Sequence, residues 1–314
     1  GFAKLPVGKA RYGVMLRDDG IVFDDGTTWR ISETEYFMTT TTANAGPVMK
    51  FLENLLQTRW PDLRVHVSSV SDQWGGVAVA GPKAREVLSD LVGDIGWSDG
   101  AFPFMAVREG TMTTDDGAIP VRCARLSFSG EQAWEVMTPA DFGPALHRAV
   151  AEGVAAAGGC PYGLEALDIL RIEKGHVTSR ELDGRTTLDD LGLGKMASSK
   201  KAFIGKVLAQ RPELTRADRP RLVGLRPAEP GATFPAGAVL MAEGVTTGHG
   251  VGWVSSVADS AALGRIGLGF AAGGLAAWEG ARLYADDPAR GGGRVAVEVV
   301  SPHFFDPEGR RMHG

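Results

Sequence analysis

Two acidic positions in this sequence have side chains that could do chemistry on a bound molecule. The first is the pair Asp24 and Asp25, which follows the apolar residues 21–23 and precedes Gly26. Successive side chains of an extended strand point to opposite faces, so these two carboxylates cannot act together on one atom. One of them can face a pocket while the other caps a turn. The alternative is an ordinary Asp-Gly turn with no chemical role.

Glu135 is the second acidic position. It lies in the segment 133–136, which is otherwise apolar and typical of a strand. An ionised carboxylate that faces inward from such a strand needs a donor partner, because burial of an unpaired charge is costly. The alternative is that Glu135 faces water on the exposed side of the sheet.

Several common kinds of functional site do not occur in the sequence. No strand is followed by GxGxxG, and neither GxxxxGK[ST] nor a GxSxG nucleophile elbow is found. The six histidines are scattered, and none stands in HExxH or a similar metal spacing. The sequence therefore predicts no metal site and argues against a metal hydrolase or a self-contained flavin enzyme.

Composition limits the class of protein and its partners. The 314 residues are enough for one large domain or for two to three small ones. A formal net charge of −5 argues against nucleic acid as the main partner. No apolar run approaches the roughly 18 residues that span a bilayer, and the first residues have no signal-peptide core. We therefore expect a cytoplasmic protein without a membrane or nucleic-acid partner, in which Cys123 and Cys160 are free, buried thiols.

The elements around the acidic positions predict an α+β architecture. Residues 11–42 are typical of a meander whose short strands are separated by Asp-Gly turns, at Asp19-Gly20 and at Asp25-Gly26. Helical spacing predicts a helix at about 46–58. The alternation of strands and helices then continues in a pattern typical of split ferredoxin-like layers. The later elements are strands at 63–70, 73–81, 102–107, 119–128 and 133–137, and helices after Pro82, at about 140–156 and at 163–174.

The last third of the chain has a different pattern. Short strands with glycines between them predict a small β-barrel or sandwich. We place the boundary within the polar segment 180–220, which gives an α+β domain at 1–218 and a carboxy-terminal β-barrel domain at 219–314. The candidate strands are 221–226, 238–242, 249–257, 265–270, 281–285 and 294–300.

Five motifs in order resemble the aminomethyltransferase, or glycine-cleavage T-protein, superfamily. They cover almost the whole chain and are ARYGVML with VFDDG, VAVAGPKA, RLSFSGEQAWEV, GLEALDILRIEKGH and FIGK. Within the superfamily, the sequence is most similar to the carboxy-terminal, folate-binding region of the alpha subunits of heterotetrameric sarcosine oxidases. Departures from the T-protein pattern support this subgroup, notably Gly26, Phe128 and the pair Gly175-His176. The resemblance implies an aminomethyltransferase-like fold with several subdomains and a carboxy-terminal barrel.

The resemblance also implies roles for the two acidic positions. Asp25 matches the catalytic carboxylate near the reactive nitrogens of tetrahydrofolate, where it can stabilise an iminium cation and orient the attacking amine. Glu135 matches the acid that binds the pterin, because a carboxylate can accept two parallel N–H bonds from the pterin edge. Asp24 remains as the residue that caps the turn.

Further positions match the folate pocket of the family. Tyr12 matches a pocket tyrosine, and Thr41 stands where a T-protein has an asparagine that contacts the pterin. Phe128 replaces a tyrosine, so it keeps the ring for stacking but lacks the hydroxyl. Leu167 replaces an arginine that meets the acidic tail of the folate. The cations that we consider in its place are Arg125 and Lys174.

The activity implied by the resemblance is capture of a one-carbon unit. In a sarcosine oxidase, another subunit oxidises sarcosine at a flavin, and the folate region converts the methylene-imine product to 5,10-methylenetetrahydrofolate and glycine. The implied cofactor is tetrahydrofolate, with flavins and NAD in other parts of the complex. The implied partners are the flavin-bearing beta subunit and the gamma and delta subunits. Two alternatives stay open, a free-standing aminomethyltransferase or folate-dependent demethylase, and a non-catalytic folate-binding scaffold.

The resemblance begins partway into the folate domain of the family. The opening segment of that domain and the dinucleotide-binding half of an alpha subunit have no counterpart before Gly1. We therefore expect a fragment or a split subunit. Its first subdomain would lack part of its sheet, and the folate pocket would lack one wall.

Overall fold

Strand pairing organises the molecule into two antiparallel sheets and a closed barrel. The computed structural model describes residues 1–291 and 293–313. The first sheet has the order β1-β2-β3. Its strands are β1 (Lys9–Leu16), β2 (Val22–Arg30) and β3 (Tyr36–Met38).

The hairpin of β1 and β2 contains only one of the two predicted Asp-Gly turns. The turn at residues 17–20 is present, and Gly20 adopts a positive φ of 86° there. The turn predicted at Asp25-Gly26 is wrong, because both residues lie inside β2, opposite Val14 and Gly13 of β1. Gly26 is needed for space instead, since a Cβ at this position would lie 2.0 Å from the carbonyl oxygen of Thr39.

A helix follows the first sheet, as predicted, and is α1 (Ala45–Thr58). The Phe51 ring of α1 meets Phe23 of β2 edge-on, with ring centroids 5.5 Å apart. The strand predicted at 63–70 is wrong. Its alternating valines favour extended backbone, but no strand of the described residues pairs with it, and Leu63 and Val65 remain 54% and 51% exposed.

The second sheet has the order β4-β7-β6-β5, with antiparallel neighbours. One face packs against two helices through an apolar core that includes Leu88, Val121, Trp134 and Leu146. The strands are β4 (Trp74–Ala80), β5 (Val107–Thr114), β6 (Gly117–Ala124) and β7 (Ala133–Pro139), and the helices are α2 (Ala84–Leu91) and α3 (Gly143–Ala156).

The strand predicted at 102–107 is largely wrong. Residues 101–104 form a turn in which Phe102 is fully buried and contacts the ring of Trp134, with centroids 6.3 Å apart. The strand that exists there, β5, begins at Val107 and has a mainly polar sequence. Only one of its faces contacts the core, so hydrophobic content alone does not reveal it.

The other face of the second sheet packs toward the first sheet. A small apolar cluster fills the layer between the sheets and includes Ala10, Trp29, Val107, Ala124 and Leu126. A backbone bridge between Lys9 and Ala106 connects the two sheets directly. We call this apolar cluster the inter-sheet layer.

The carboxy-terminal strands close into a barrel with the order β10-β11-β8-β13-β12-β9, so the predicted barrel is confirmed. Neighbouring strands are antiparallel, and the interior is apolar. The strands are β8 (Pro220–Pro227), β9 (Val239–Ala242), β10 (Gly252–Ser260), β11 (Gly264–Ala272), β12 (Arg282–Asp286) and β13 (Val295–Val300). The further α-helices of the described residues are α4 (Leu164–Lys174), α5 (Pro212–Thr215), α6 (Leu275–Trp278) and α7 (Arg310–His313).

A buried ion pair joins α4 to the barrel. Arg171 and Glu181 are both fully buried, with 2.9 Å between Arg171 Nη1 and Glu181 Oε2. Ser256 of β10 accepts from Arg171 Nη2 at 2.7 Å and donates to Glu181 Oε1 at 2.6 Å. The charges are thus hydrogen-bonded on several sides, which is the condition under which a buried pair is tolerated.

The chain leaves the barrel after β13 and returns to the other layers. Asp306 of this returning segment accepts from Lys174 at the end of α4. The carbonyl oxygen of His313 accepts from Arg125, which follows β6, at 2.7 Å. The predicted division of the chain after residue 218 lies just before β8 and stays a prediction.

Candidate functional site

Asp25 lies on the face of β2 that points toward the second sheet. Trp29, four residues further along β2, belongs to the inter-sheet layer, so strand alternation places Asp25 on the same face. Its partner across the hairpin is Val14, which packs against a cluster at the barrel junction that includes Leu191 and Phe270. Asp25 therefore lies where the two sheets and the barrel approach one another.

A hydrogen bond from Tyr12 orients the Asp25 carboxylate. The Tyr12 hydroxyl lies 2.8 Å from Asp25 Oδ2, and no other side chain in the described part of the chain donates to this carboxylate. Burial raises the pKa of Asp25, the Tyr12 hydrogen bond opposes this effect, and the charge of Asp24 adds to it. Burial and the charge of Asp25 raise the pKa of Tyr12. The phenol therefore keeps its proton and acts as the donor.

Asp24 points to the opposite face of β2 and holds the segment before α1. It is almost completely buried and accepts hydrogen bonds from the Thr41 backbone N–H and the Asn44 side chain, each at 3.1 Å. The prediction that Asp24 caps a turn is therefore wrong, since the carboxylate binds the segment that follows β3. Thr41 is fixed next to β2 through its backbone, whereas its hydroxyl donates no hydrogen bond to any described residue. The role of Thr41 in a pterin pocket stays a prediction.

Glu135 lies on the face of β7 that is turned away from the helices. Its neighbours Trp134 and Val136 belong to the core beneath α2 and α3, whereas its register partner Ala124 belongs to the inter-sheet layer. The carboxylate is half-buried, and it makes no hydrogen bond or ion pair within the part of the chain that the structure describes. Burial raises the pKa of Glu135. Such a group suits a ligand that brings its own donors.

Two partly exposed aromatic side chains lie near the two ends of α4. Phe128, in the loop between β6 and β7, is 40% exposed and stacks on His176, with ring centroids 5.6 Å apart. The pKa of Tyr162 is raised by burial and then by the charge of Glu135, so the phenol lies within electrostatic range of that carboxylate. The sequence alone assigns no role to Tyr162 or His176. Two sequence features could have drawn attention to these residues. Tyr162 is an aromatic residue shortly before α4, and His176 belongs to the Gly-His pair directly after it.

The two cations considered for the acidic tail of a folate are engaged in structural contacts. Arg125 is fully buried and donates to Asp99 at 2.6 Å as well as to two backbone carbonyls. Lys174 is buried and donates to the backbone carbonyl and the carboxylate of Asp306. Neither side chain is free to take the place of the arginine that Leu167 replaces.

The described residues contain no group of three His, Cys, Asp or Glu side chains placed to hold a metal ion. No helix among them is long and apolar enough to cross a membrane. Surface grooves of about 190 and 290 Å³ lie beside α2 and α3, and neither includes Asp25 or Glu135. Cys123 and Cys160 are both free, as predicted, but Cys160 is exposed, so its predicted burial is wrong.

Models of known protein families match this chain over most of its length. The model of the GCVT N-terminal domain matches residues 1–201. The model of the glycine cleavage T-protein C-terminal barrel domain matches residues 221–306, which contain the barrel strands. The chain belongs to the glycine-cleavage T-protein family. Among solved structures, this family member is similar to aminomethyltransferase T of the glycine cleavage system from Bartonella henselae, with a TM-score of 0.80, 24% identity and coverage of 97% of this chain and 78% of that one. That likeness confirms the fold.

Curated relatives of this T-protein family member include sarcosine oxidase alpha subunits. The sarcosine oxidase subunit alpha of Rhizobium meliloti (strain 1021) is 44% identical over 99% of this chain and 32% of the relative. That of Corynebacterium sp. (strain P-1) is 40% identical over 100% of this chain and 32% of the relative. The aminomethyltransferase of Streptomyces avermitilis is 32% identical over 84% of this chain and 68% of the relative. The resemblance to a T-protein-like region of sarcosine oxidase alpha subunits is thus confirmed, and the chain spans about a third of their length.

Proposed function

We propose that this chain is the tetrahydrofolate-binding region of a sarcosine oxidase alpha subunit. It would capture the methylene-imine from oxidised sarcosine as 5,10-methylenetetrahydrofolate and release glycine. Family membership supports folate-dependent one-carbon transfer, and 44% identity to the Rhizobium alpha subunit supports the subgroup. The observation that most directly supports a working site is the Glu135 carboxylate, half-buried and without a partner in the described part of the chain.

The residues of the site fit a reduced folate. The edge of a pterin offers parallel N–H donors, and a carboxylate that accepts two of them makes a strong, directional contact. Glu135 presents such an acceptor from the middle of a strand whose backbone is fixed by sheet pairing on both sides. Phe128 offers a partly exposed ring on which an aromatic ligand can stack. We propose Tyr12 and Thr41 as further contacts in the pocket.

When bound, tetrahydrofolate supplies the nitrogens that take up the one-carbon unit. Asp25 places a negative charge that stabilises the cationic imine and orients the attacking amine. Tyr12 holds this carboxylate in one orientation through its 2.8 Å hydrogen bond. The inter-sheet layer around Trp29 keeps the region apolar and limits the access of water, which would otherwise hydrolyse the imine to formaldehyde. The chain thus promotes the reaction largely by proximity and orientation.

The partners follow from the origin of the imine. It must be supplied by an amine oxidation, so we propose a flavin-bearing beta subunit together with gamma and delta subunits as the complex in which this region acts. Flavins and NAD would bind to other parts of that complex, and the cytoplasm is the proposed compartment. No contact in the described residues favours a free-standing aminomethyltransferase or a scaffold over this assignment.

The experiment is the Asp25→Asn substitution in the assembled enzyme. We expect flavin reduction by sarcosine to continue at the parent rate, while the yield of 5,10-methylenetetrahydrofolate falls and formaldehyde rises. The matched control is Asp116→Asn, a half-exposed carboxylate at the β5–β6 turn that pairs only with Arg148 among the described residues. Equal yields in Asp25→Asn and parent would remove Asp25 from the mechanism.

A further inference from the structure

The backbone of His176 is fixed by the end of α4. Gly175 ends the helix in a left-handed conformation with φ 80° and ψ 22°. The His176 N–H donates to the carbonyl of Arg171 at 2.8 Å, and Arg171 Nη1 donates back to the carbonyl of His176 at 3.2 Å. Since Arg171 is itself held by the buried pair with Glu181, the position of His176 depends on the junction of α4 and the barrel.

The side chain of His176 contacts Phe128 in two ways. Its ring stacks on the Phe128 ring with an angle of 27° between the planes. Its Nδ1 lies 3.0 Å from the Phe128 carbonyl oxygen. A carbonyl oxygen can only accept, so Nδ1 must carry the proton, and the tautomer is thereby fixed. The same imidazole therefore holds both the backbone and one ring face of Phe128.

The surroundings favour the neutral form of this imidazole. Burial lowers the pKa of His176, and the nearby charges of Lys174 and Arg171 lower it further, against the effect of the Phe128 carbonyl. The proton on Nδ1 is present in the neutral tautomer described above and in the charged ring, so the hydrogen bond to Phe128 persists in both forms.

Leu126 and Ser129, on either side of Phe128, are buried, whereas the Phe128 side chain itself reaches the surface. Residues 125–132 have no helix or strand, and the turn is closed by a 3.1 Å hydrogen bond from the Gly130 N–H to the Ser127 hydroxyl. One ring face of Phe128 is covered by His176, while 40% of the residue remains exposed. An exposed aromatic side chain loses rotamer freedom when it binds a ligand, so a contact that orders it beforehand strengthens binding.

We propose that His176 is a positioning residue that presents the exposed ring face of Phe128 to the bound folate. This inference rests on the proposed function, because it takes the ligand of Phe128 to be a reduced folate. The Gly175-His176 pair would then contribute to the affinity for the cofactor through Phe128. The pair itself would not contact the reacting atoms.

The test compares variants of His176 in the assembled enzyme, with 5-formyltetrahydrofolate as the probe in calorimetry. His176→Ala removes both contacts, and we expect its Kd to rise about two- to tenfold, the range for one side chain that must be ordered on binding. His176→Gln can still donate an amide N–H to the Phe128 carbonyl and should recover part of the affinity. The KM for folate should follow the Kd, while flavin reduction by sarcosine stays unchanged.

A double-mutant cycle separates positioning from a general structural effect. If His176 acts through Phe128, the rise in Kd for the double variant should be close to that for Phe128→Ala alone. If the two residues act independently, the free-energy changes of the single variants should sum in the double variant. Additive effects, an unchanged Kd in His176→Ala, or a Gln variant no better than Ala would each overturn the inference. Glu135→Gln distinguishes the two proposals. Normal binding in both Glu135→Gln and His176→Ala contradicts the proposed site, whereas weakened binding in Glu135→Gln alone contradicts only the role of His176.

Discussion

Replacement of Glu135 by Gln should improve the stability of the folded chain and weaken its binding of folate. The carboxylate is half-buried, burial raises its pKa, and it has no partner within residues 1–291 and 293–313. Removal of this charge removes the free-energy cost of burying an unpaired carboxylate. We expect a gain of about 1 kcal/mol in the free energy of unfolding, because the group is only partly buried. A bound pterin would lose a charged hydrogen bond, which costs about 1.5–3 kcal/mol, or about 10- to 150-fold in Kd.

The stability gain of Glu135→Gln should depend on pH. A carboxyl group whose pKa is raised by folding binds its proton more tightly in the folded state, so the parent gains stability relative to the variant as the pH falls. The advantage of the variant should be complete above the raised pKa and should vanish below the pKa of an unfolded Glu, about 4.3. Urea unfolding without ligand, at pH 8 and at successively lower pH, measures this difference.

Asp116→Asn is the matched control for this experiment. Asp116 lies at the β5–β6 turn of the same sheet and pairs with Arg148 at 3.1 Å, and both side chains are about half exposed. Its substitution should cost at most about 1 kcal/mol of stability, as for exposed ion pairs, and should leave folate affinity unchanged. If Glu135→Gln destabilises the chain at pH 8, or binds 5-formyltetrahydrofolate as tightly as the parent, Glu135 is not an unpaired acceptor for the pterin.

Three further predictions test the structure around the site. Tyr12→Phe removes the hydrogen bond that lowers the pKa of Asp25. The acidic limb of the pH profile for methylene capture should therefore move to higher pH. An unchanged profile would contradict this coupling between Tyr12 and Asp25. Gly26→Ala places a Cβ 2.0 Å from a backbone carbonyl and should cost about 1–3 kcal/mol in urea unfolding, whereas Gly46→Ala, with nothing within 4 Å, should cost nothing. Glu181→Gln breaks a buried ion pair and should cost about 3–5 kcal/mol, compared with at most about 1 kcal/mol for the exposed pair in Glu213→Gln.

The sequence predicts correctly those helices and strands in which buried and exposed residues alternate with a regular period. The barrel strands alternate apolar and small residues between glycines, and α1, α3 and α4 show helical spacing, so periodicity is enough to find them. Strand β5 escapes prediction because one of its faces is solvated and most of its residues are polar. The segment 63–70 has the composition of a strand, but a strand also requires a neighbour, and sequence pattern contains no information on whether one is alongside.

The Asp25-Gly26 pair shows how one signal can have two physical causes. A glycine after an aspartate usually supplies the left-handed conformation of a hairpin turn. Here the glycine lies within a strand, because the carbonyl oxygen of Thr39 occupies the place of a side chain. The crowding comes from Thr39, which follows β3 and lies 13 positions along the chain, so the residues next to Gly26 do not predict it.

Sequence pattern and resemblance single out Asp25 and Glu135 as candidates, but they do not show the partners of these residues. Glu135 is recognisable as a charge on an otherwise apolar strand, whereas Asp25 is singled out by the resemblance to the family. The contact of Tyr12 with Asp25 depends on the register of the β1–β2 hairpin, and that of His176 with Phe128 depends on the packing of α4. Both are tertiary contacts, between residues that are 13 and 48 positions apart in the sequence, so local sequence pattern does not predict them.

The alternation of Asp24 and Asp25 across β2 makes the outcome of folding sensitive to a shift of one residue. A slip of one position in the pairing with β1 would exchange the two side chains, so that Asp24 faced the inter-sheet layer and Asp25 faced Asn44. Both are aspartates, so the slipped hairpin would present the same chemical group at the same place, but Tyr12 would no longer stand opposite the same strand position. The length of the turn at 17–20 selects between these arrangements. An insertion or deletion of one residue in this surface turn would thus remove the hydrogen bond between Tyr12 and Asp25, although neither residue is altered.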